Sequence, residues 1–180
     1  MIKFKYMKKT IAIFAVILFT AFASFGQTSS KEIKVGRIFY ITLPAYMTKT
    51  VGLNDAAAIQ FKNTIKDVYG FVVEDTKEEM KMVEISFATI NEFYDNFIKD
   101  FLKDEEKRKV SAIDTKKKGE INFVESDVTY YDKNSKSDIC YFVGIAETKT
   151  SFYKVLTWCA LENKAKYKAD FQKMLYSVRD

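Results

Sequence analysis

Two strongly apolar stretches near the carboxyl end of the chain constrain its fold more than any other feature. Residues 139–146 (ICYFVGIA) and 152–160 (FYKVLTWCA) are rich in aromatic and β-branched side chains, and polar residues 147–151 separate them. This pattern predicts an antiparallel hairpin. In the first stretch both alternating sets of side chains are apolar, which indicates a central strand with both faces buried. The fold must therefore provide a covering layer on each side of the sheet.

A helix after the hairpin is predicted as the first covering layer. Asn163 is a suitable N-cap residue for it. Its apolar residues fall on a single helical stripe: Tyr167, Phe171, Met174, Leu175 and Val178.

Residues 89–92 (TINE) predict the helix of the second layer because they have the form of a capping box. In this motif the threonine hydroxyl and the glutamate three residues later satisfy free backbone donors at a helix start. An apolar stripe follows, which we expect to pack as core on the opposite face of the sheet: Ile90, Phe93, Tyr94, Phe97, Ile98, Phe101 and Leu102.

The rest of the chain contains further predicted strands, at residues 33–43, 56–61, 67–74, 81–87 and 120–131. The lysine run 116–118 indicates a solvated turn, and a change of apolar parity in 120–131 predicts a β-bulge at residues 125–127. We expect residues 27–180 to form a single domain. The predicted fold class is α+β, a largely antiparallel β-sheet sandwiched by helices in α/β/α layers.

Residues 1–26 have the pattern of a secretory signal peptide: four early lysines, an apolar run, and small residues before a cut between Gly26 and Gln27. A cut after residue 23 is an alternative, and Met7 could be the natural start instead of Met1. The apolar run is shorter than the roughly 20 residues of a membrane-spanning helix, so an uncleaved anchor is the weaker interpretation. We expect a periplasmic or secreted protein that meets the membrane only during export.

Removal of this segment changes the charge of the chain. The full sequence has 29 basic and 24 acidic residues, but four lysines and no acids precede Gln27, which leaves 25 basic against 24 acidic residues. A nearly neutral protein lacks the concentrated positive field that nucleic-acid binding needs. We therefore predict no nucleic-acid partner.

The chain contains no histidine, which excludes histidine-activated nucleophiles and most zinc sites. No cofactor and no metal site are predicted. Carboxylate chemistry remains open, since Glu125 and Asp127 lie two apart on one strand face and could act as acid and base. The simpler interpretation is that an edge strand or bulge exposes these charges to water.

The two cysteines are placed by the hairpin. If Lys149 and Thr150 form a two-residue turn, Cys140 lies opposite Cys159, whereas a three-residue turn separates them. Cross-strand neighbours are close enough to form a disulfide, although its preferred dihedral angle fits poorly there. The alternative is a pair of small buried thiols.

Four tyrosines lie on or beside predicted strands where one side of the pattern is polar: Tyr40, Tyr46, Tyr130 and Tyr131. Tyrosine suits wet recognition surfaces because it has an apolar ring and a polar tip. We predict that these residues contribute to a binding surface.

The order of elements resembles the PsbP-like superfamily. The similarity involves a strand ending at residues 39–44 (FYITLP), a helix at 89–103, a strand after Gly119, a hairpin closing into Trp158 and a helix ending at 171–177. That group includes extrinsic photosystem proteins, a eukaryotic Ran-binding import factor and many bacterial envelope proteins. The resemblance implies an antiparallel sheet between helical layers and a non-catalytic role in binding or assembly. It carries over no functional residue, and photosynthetic and nuclear roles are not implied.

Three functions are consistent with these observations. The first is an exported, monomeric, non-catalytic module that binds a protein or an envelope component through a sheet edge or face. The second is a hydrolase, acting on glycans for example, that uses Glu125 and Asp127. The third is a carrier with an apolar pocket between the sheet and the helix at 90–102.

Overall fold

The structure, a computed structural model, describes residues 29–36 and 39–180. The predicted signal peptide lies outside these residues. The described strands are β1 (Ser30–Val35), β2 (Phe39–Pro44), β3 (Thr48–Thr50), β4 (Ile59–Asn63), β5 (Val68–Thr76), β6 (Glu106–Val110), β7 (Asp114–Lys118), β8 (Ile121–Asp132), β9 (Ser137–Glu147) and β10 (Ser151–Ala160). The described helices are α1 (Lys77–Met82), α2 (Ile90–Asp100) and α3 (Lys164–Leu175), and a 3-10 turn, Leu161–Asn163, precedes α3.

Eight of these strands form one antiparallel sheet in the order β3-β4-β5-β10-β9-β8-β6, with β7 also paired to β8. The predicted hairpin is confirmed as β9 and β10, which lie in the middle of the sheet. Its register pairs Phe152 with Glu147 and Cys159 with Cys140, as a two-residue turn at Lys149 and Thr150 requires. The strands β1 and β2 form a separate two-stranded sheet.

Helical layers cover both faces of the sheet, so the predicted α/β/α arrangement in a single domain is confirmed. On one face, α3 and the β1–β2 hairpin bury a core that includes Phe39, Phe61, Phe142 and Met174. On the other face, α2 buries a second core around Phe93. We call these the α3 face and the α2 face. No helix in residues 29–36 and 39–180 is long and apolar enough to cross a membrane.

The α3 helix comes very close to the sheet at Gly144. A Cβ atom built on Gly144 would lie 2.7 Å from Leu175 Cδ2 and 2.8 Å from Leu175 Cδ1. Real carbon–carbon contacts are about 3.5–4.0 Å. The absent side chain therefore creates the space in which Leu175, fully buried, packs on β9.

The predicted cap of α2 is confirmed. The Thr89 hydroxyl accepts a hydrogen bond from the Glu92 amide at 3.2 Å. The Glu92 carboxylate reaches one residue further back than expected and accepts from the Ala88 amide at 2.8 Å. At α3, Asn163 occupies the N-cap position as predicted, but its side chain makes no capping hydrogen bond.

Two predicted strands were wrong because local turn and cap chemistry overrides the alternation of apolar residues. The stretch 33–43 is two strands, β1 and β2, and Gly36 adopts a left-handed conformation (φ +56°) where the chain leaves β1. Residues 81–87 do not form a strand, and the first two of them are the last residues of α1. Thr76 caps this helix, since its hydroxyl accepts from the Glu79 amide at 3.1 Å and donates to the Glu79 carboxylate at 2.7 Å.

The lysine run is also not a turn, because residues 116–118 belong to β7, which pairs with β8 from Asp114↔Glu125 to Lys118↔Ile121. The residues of β7 are exposed, and lysines suit such an edge strand because they discourage pairing with other chains.

The predicted β-bulge at residues 125–127 is wrong. The register of β8 with β9 runs without a break from Asn122↔Glu147 to Asp132↔Ser137, and the irregularity lies in β6 instead. Both faces of β8 are buried over residues 123–128, and the apolar parity changes because two buried acids, Glu125 and Asp127, follow Phe123 on the α3 face. Phe123 packs in the α3-face core, whereas Val128 packs in the α2-face core.

Candidate functional site

The carboxylates considered for catalysis lie under α3 and are not exposed to water. Glu125 is 4% exposed and Asp127 is 6% exposed. The Glu125 carboxylate accepts from Gln172 Nε2 at 2.6 Å and from the Tyr176 hydroxyl at 2.5 Å. Both Glu125 oxygens are therefore occupied by donors from the carboxyl-terminal end of the helix.

Asp127 anchors the amino-terminal end of the same helix. Its Oδ2 lies 2.7 Å from Lys164 Nζ and 2.9 Å from Lys168 Nζ, and its backbone amide donates to the Ser111 hydroxyl at 3.0 Å. The prediction that an edge strand or bulge exposes these two acids is thus wrong. Both side chains hold α3 onto β8, and this arrangement accounts for acidic residues on a buried strand face.

The region proposed for an apolar ligand is filled by side chains. The rings of Phe93 and Phe152 stack between α2 and the sheet at 4.2 Å between centroids. The buried Tyr94 hydroxyl donates to Ser126 Oγ at 2.7 Å, so this polar group is satisfied inside the protein. Within the described residues, no three His, Cys, Asp or Glu side chains are grouped so that they could hold a metal ion.

Three of the four predicted binding tyrosines have separate local partners. The Tyr46 hydroxyl donates to Asp170 at 3.0 Å, and burial followed by the nearby Asp170 charge raises the pKa of Tyr46. The Arg179 guanidinium lies 4.0 Å from the ring centroid of Tyr40. The Lys107 ammonium lies 4.7 Å from the ring centroid of Tyr131. Each of these three tyrosines thus has a different charged partner.

Tyr130, in contrast, belongs to a row of aromatic side chains that crosses the sheet on the α2 face. We call this set the aromatic row. It consists of Tyr69 on β5, Trp158 on β10, Tyr141 on β9, Tyr130 on β8, and Phe101 just after α2. Trp158 is directly paired with Tyr69 on one side and with Tyr141 on the other. All five side chains are partly exposed.

The rings of the aromatic row stand side by side. The Tyr69–Trp158 centroids are 5.4 Å apart and the Tyr141–Trp158 centroids 4.9 Å apart, both with an interplanar angle of 19°. Nearly parallel rings at this distance are stacked with a lateral offset, because coplanar rings would collide. Tyr130 continues the row at 6.2 Å from Tyr141, and Phe101 meets Tyr141 edge-on at 5.3 Å.

The row therefore presents ring edges and polar tips across about three strand spacings, roughly 14 Å. The faces of its central rings are used within the row. Burial raises the pKa of Tyr141 and Tyr130 above the ordinary tyrosine value. Burial and a hydrogen bond to Asp67 also raise the pKa of Tyr69. The phenol groups accordingly remain neutral near pH 7 and can donate or accept hydrogen bonds.

Sequence reasoning identified only Tyr130 of this row. Tyr69, Tyr141 and Trp158 look like core residues, since each lies in an apolar strand. The register that predicts Cys140 opposite Cys159 also puts Tyr141 opposite Trp158, so this central pair was accessible from the sequence. The neighbours Tyr69 and Tyr130 were not, because they depend on pairings between distant strands.

Comparison with known proteins supports the fold. No protein-family profile and no curated protein sequence matches this chain. Among solved structures, the cyanobacterial PsbP protein (CyanoP) from Synechocystis sp. PCC 6803 is similar, with a TM-score of 0.59 and 11% identity over 87% of this chain and 95% of that one. The Saccharomyces cerevisiae Ran-binding protein Mog1p has a TM-score of 0.58 and 11% identity, over 85% and 96% of the two chains.

A third similar structure is LpqN from Mycobacterium tuberculosis, described as involved in cell envelope biogenesis, with a TM-score of 0.55 and 7% identity over 85% of this chain and 91% of LpqN. The predicted PsbP-like fold is therefore confirmed. Identities this low establish the fold alone.

Proposed function

We propose that this protein is an exported, non-catalytic module that binds a protein partner in the cell envelope through the aromatic row. The observation that carries the proposal is the row itself, in which five partly exposed aromatic side chains lie together on one face of the sheet. Tyrosine and tryptophan are enriched at protein interfaces and dominate their binding energy.

The orientation of the rings favours a protein partner over a nucleobase or a sugar. Stacking of a base needs a free ring face. In the row, the Trp158 ring is covered by Tyr69 on one side and by Tyr141 on the other. Ring edges with phenol and indole groups suit a mixed apolar and polar protein surface.

Other features support a binding role in the envelope. The residues suited to acid–base chemistry, Glu125 and Asp127, are engaged in fixing α3. The signal-like segment at residues 1–26 supports export. Two of the similar structures are described as Ran-binding and as involved in cell envelope biogenesis, which fits a module that works through contacts with other molecules.

Site-specific photo-cross-linking in intact cells tests this proposal. A photoreactive amino acid replaces Tyr69 at one end of the row, and the control replaces Ile65, which is 96% exposed in the neighbouring turn. We expect a discrete cross-linked species from position 69 that is absent from position 65. Purification of that species, with mass spectrometry of both partners, identifies the bound protein and the processed amino terminus.

Affinity measurements with the identified partner complete the test. Tyr69→Ala is expected to weaken binding by roughly 10- to 100-fold, as hot-spot truncations of about 1–3 kcal/mol do. Tyr40→Ala is the matched control, since Tyr40 is a partly exposed strand tyrosine outside the row. Equal affinities of both variants and the natural protein would refute the assignment of the surface, provided that thermal unfolding shows both variants to be folded.

A further inference from the structure

Cys140 and Cys159 lie directly opposite each other on β9 and β10. They are 3% and 1% exposed, and both are free thiols in the structure. Directly opposed strand residues have Cβ atoms about 4.5–5.5 Å apart, whereas a disulfide holds them at about 3.8 Å. The pair is therefore in register for a bond, and closing it would draw the two strands together by roughly 1 Å.

This cysteine pair lies immediately behind the centre of the aromatic row. The next pair in the same ladder is Trp158 opposite Tyr141. Because successive side chains of a strand point to opposite faces, the sulfur atoms lie on the α3 face and the two rings on the α2 face. A change in the separation of the strands at the cysteines must therefore reach the ring pair one residue away.

A narrow cleft under the start of α3 leads to the thiols. Its lining includes both cysteines together with Asp127, Lys164 and Lys168. The two lysines hold the helix down through their ion pairs with Asp127. Loosening of this first part of α3 would admit a small oxidant to the pair.

Burial affects the two thiols in the same direction. Burial raises the pKa of Cys140 to about 11, with Asp127 adding to the shift and the two lysines opposing it. Burial and the neighbouring Cys140 raise the pKa of Cys159 to about 12. Both thiols are therefore protonated while α3 is in place, and exchange requires the loosening of α3 that admits the oxidant.

We propose that Cys140 and Cys159 form a redox site whose disulfide changes the packing of Trp158 on Tyr141 and thereby modulates binding at the aromatic row. The second half of this inference rests on the proposed function. In the reaction, the thiolate of one cysteine attacks a low-molecular-weight disulfide and displaces one thiolate. The thiolate of the other cysteine then attacks the mixed disulfide and displaces the second. Two protein thiols are oxidised, one disulfide is reduced to two thiols, and the two protons pass to the released thiolates.

The natural protein contains its own reporter for this reaction, because Trp158 is the only tryptophan in the sequence. Purified protein is equilibrated with defined ratios of oxidised and reduced glutathione and analysed by intact mass, tryptophan fluorescence and near-ultraviolet circular dichroism. We expect a loss of two hydrogens per chain, accompanied by a shift of the Trp158 emission and of the aromatic dichroism with the same midpoint. Cys140→Ala and Cys159→Ala are the controls, and neither should show the spectral shift.

The outcomes separate this inference from the proposed function. An unchanged mass, or only a stable glutathione adduct, would overturn the redox site while binding at Tyr69 could still stand. A disulfide that leaves the Trp158 signals unchanged would overturn the coupling to the row. If mass and spectra change together but the cross-linked partner binds both forms equally, modulation of binding is refuted and the redox site stands.

Discussion

The close approach of α3 to Gly144 gives a sharp prediction about stability. In most strands, replacing glycine with alanine stabilises the protein by roughly 0.5–1 kcal/mol, because glycine loses more backbone entropy on folding. At Gly144 we expect the opposite sign. The new methyl group would lie 2.7, 2.8 and 3.1 Å from three side-chain carbons of Leu175, which is fully buried.

The expected magnitude follows from these distances. To reach an ordinary contact of about 3.5–4.0 Å, Leu175 or the whole of α3 must move by roughly 1 Å. Overpacking of this kind costs about 1–3 kcal/mol. For a domain of this size, a loss of about 2 kcal/mol lowers Tm by roughly 4–8 °C.

A double-mutant cycle shows whether contact with Leu175 causes the loss of stability expected for Gly144→Ala. Leu175→Ala alone should cost about 2–5 kcal/mol through the lost burial and the cavity that it leaves. In the double variant the new methyl group at residue 144 enters the vacated space. We therefore expect the combined loss to be smaller than the sum of the single losses by about 1 kcal/mol or more.

Urea unfolding followed by Trp158 fluorescence measures all four proteins. Two results would contradict the reasoning. One is a Gly144→Ala variant that is as stable as the natural protein or more stable, since that would show that α3 does not press on β9. The other is strict additivity in the cycle, which would assign the loss to something other than Leu175.

Two further predictions concern pH and helix caps. Burial raises the pKa of Tyr141, Tyr153 and Tyr176 above the ordinary value of 10. The unfolded chain therefore loses these protons first, so their contribution to stability is complete below pH 10 and is lost as the pH rises through the folded-state values. Phenolate absorbance of these residues should appear together with loss of the aromatic dichroism, and phenolate formation in a chain that stays folded would contradict this. Thr89→Ala should lower the free energy of unfolding by about 1 kcal/mol. Thr76→Ala should cost less, because α1 buries no residue, and equal losses from the two variants in urea unfolding would argue against this.

The best sequence predictions came from features whose causes are local. The capping box at Thr89 predicted the start of α2 because its hydrogen bonds join residues three or four apart. The register of β9 with β10 is one of the two that the sequence allowed, the one set by a two-residue turn. The double apolar alternation of residues 139–146 correctly required a layer on each face of the sheet.

Failures occurred where a partner from far along the chain determines the conformation. Residues 116–118 have the composition of a turn, yet they form a strand because the outer edge of β8 offers them hydrogen bonds. Glu125 and Asp127 look like exposed or catalytic acids until α3 supplies their donors, from residues 37 to 51 positions later. In the same way, Tyr69 and Trp158 join Tyr130 in the aromatic row from strands far along the chain.

The sequence by itself determined the layered α+β fold and the central hairpin, and it limited the register at the cysteines to two alternatives. These depend on periodicity and turn length, which are properties of short segments. Only the tertiary structure decided that Tyr69, Trp158, Tyr141 and Tyr130 lie in one row and that the two acids are buried beneath α3. Those arrangements depend on which distant strands become neighbours and on what covers them, and the pattern within any single strand carries no information about either.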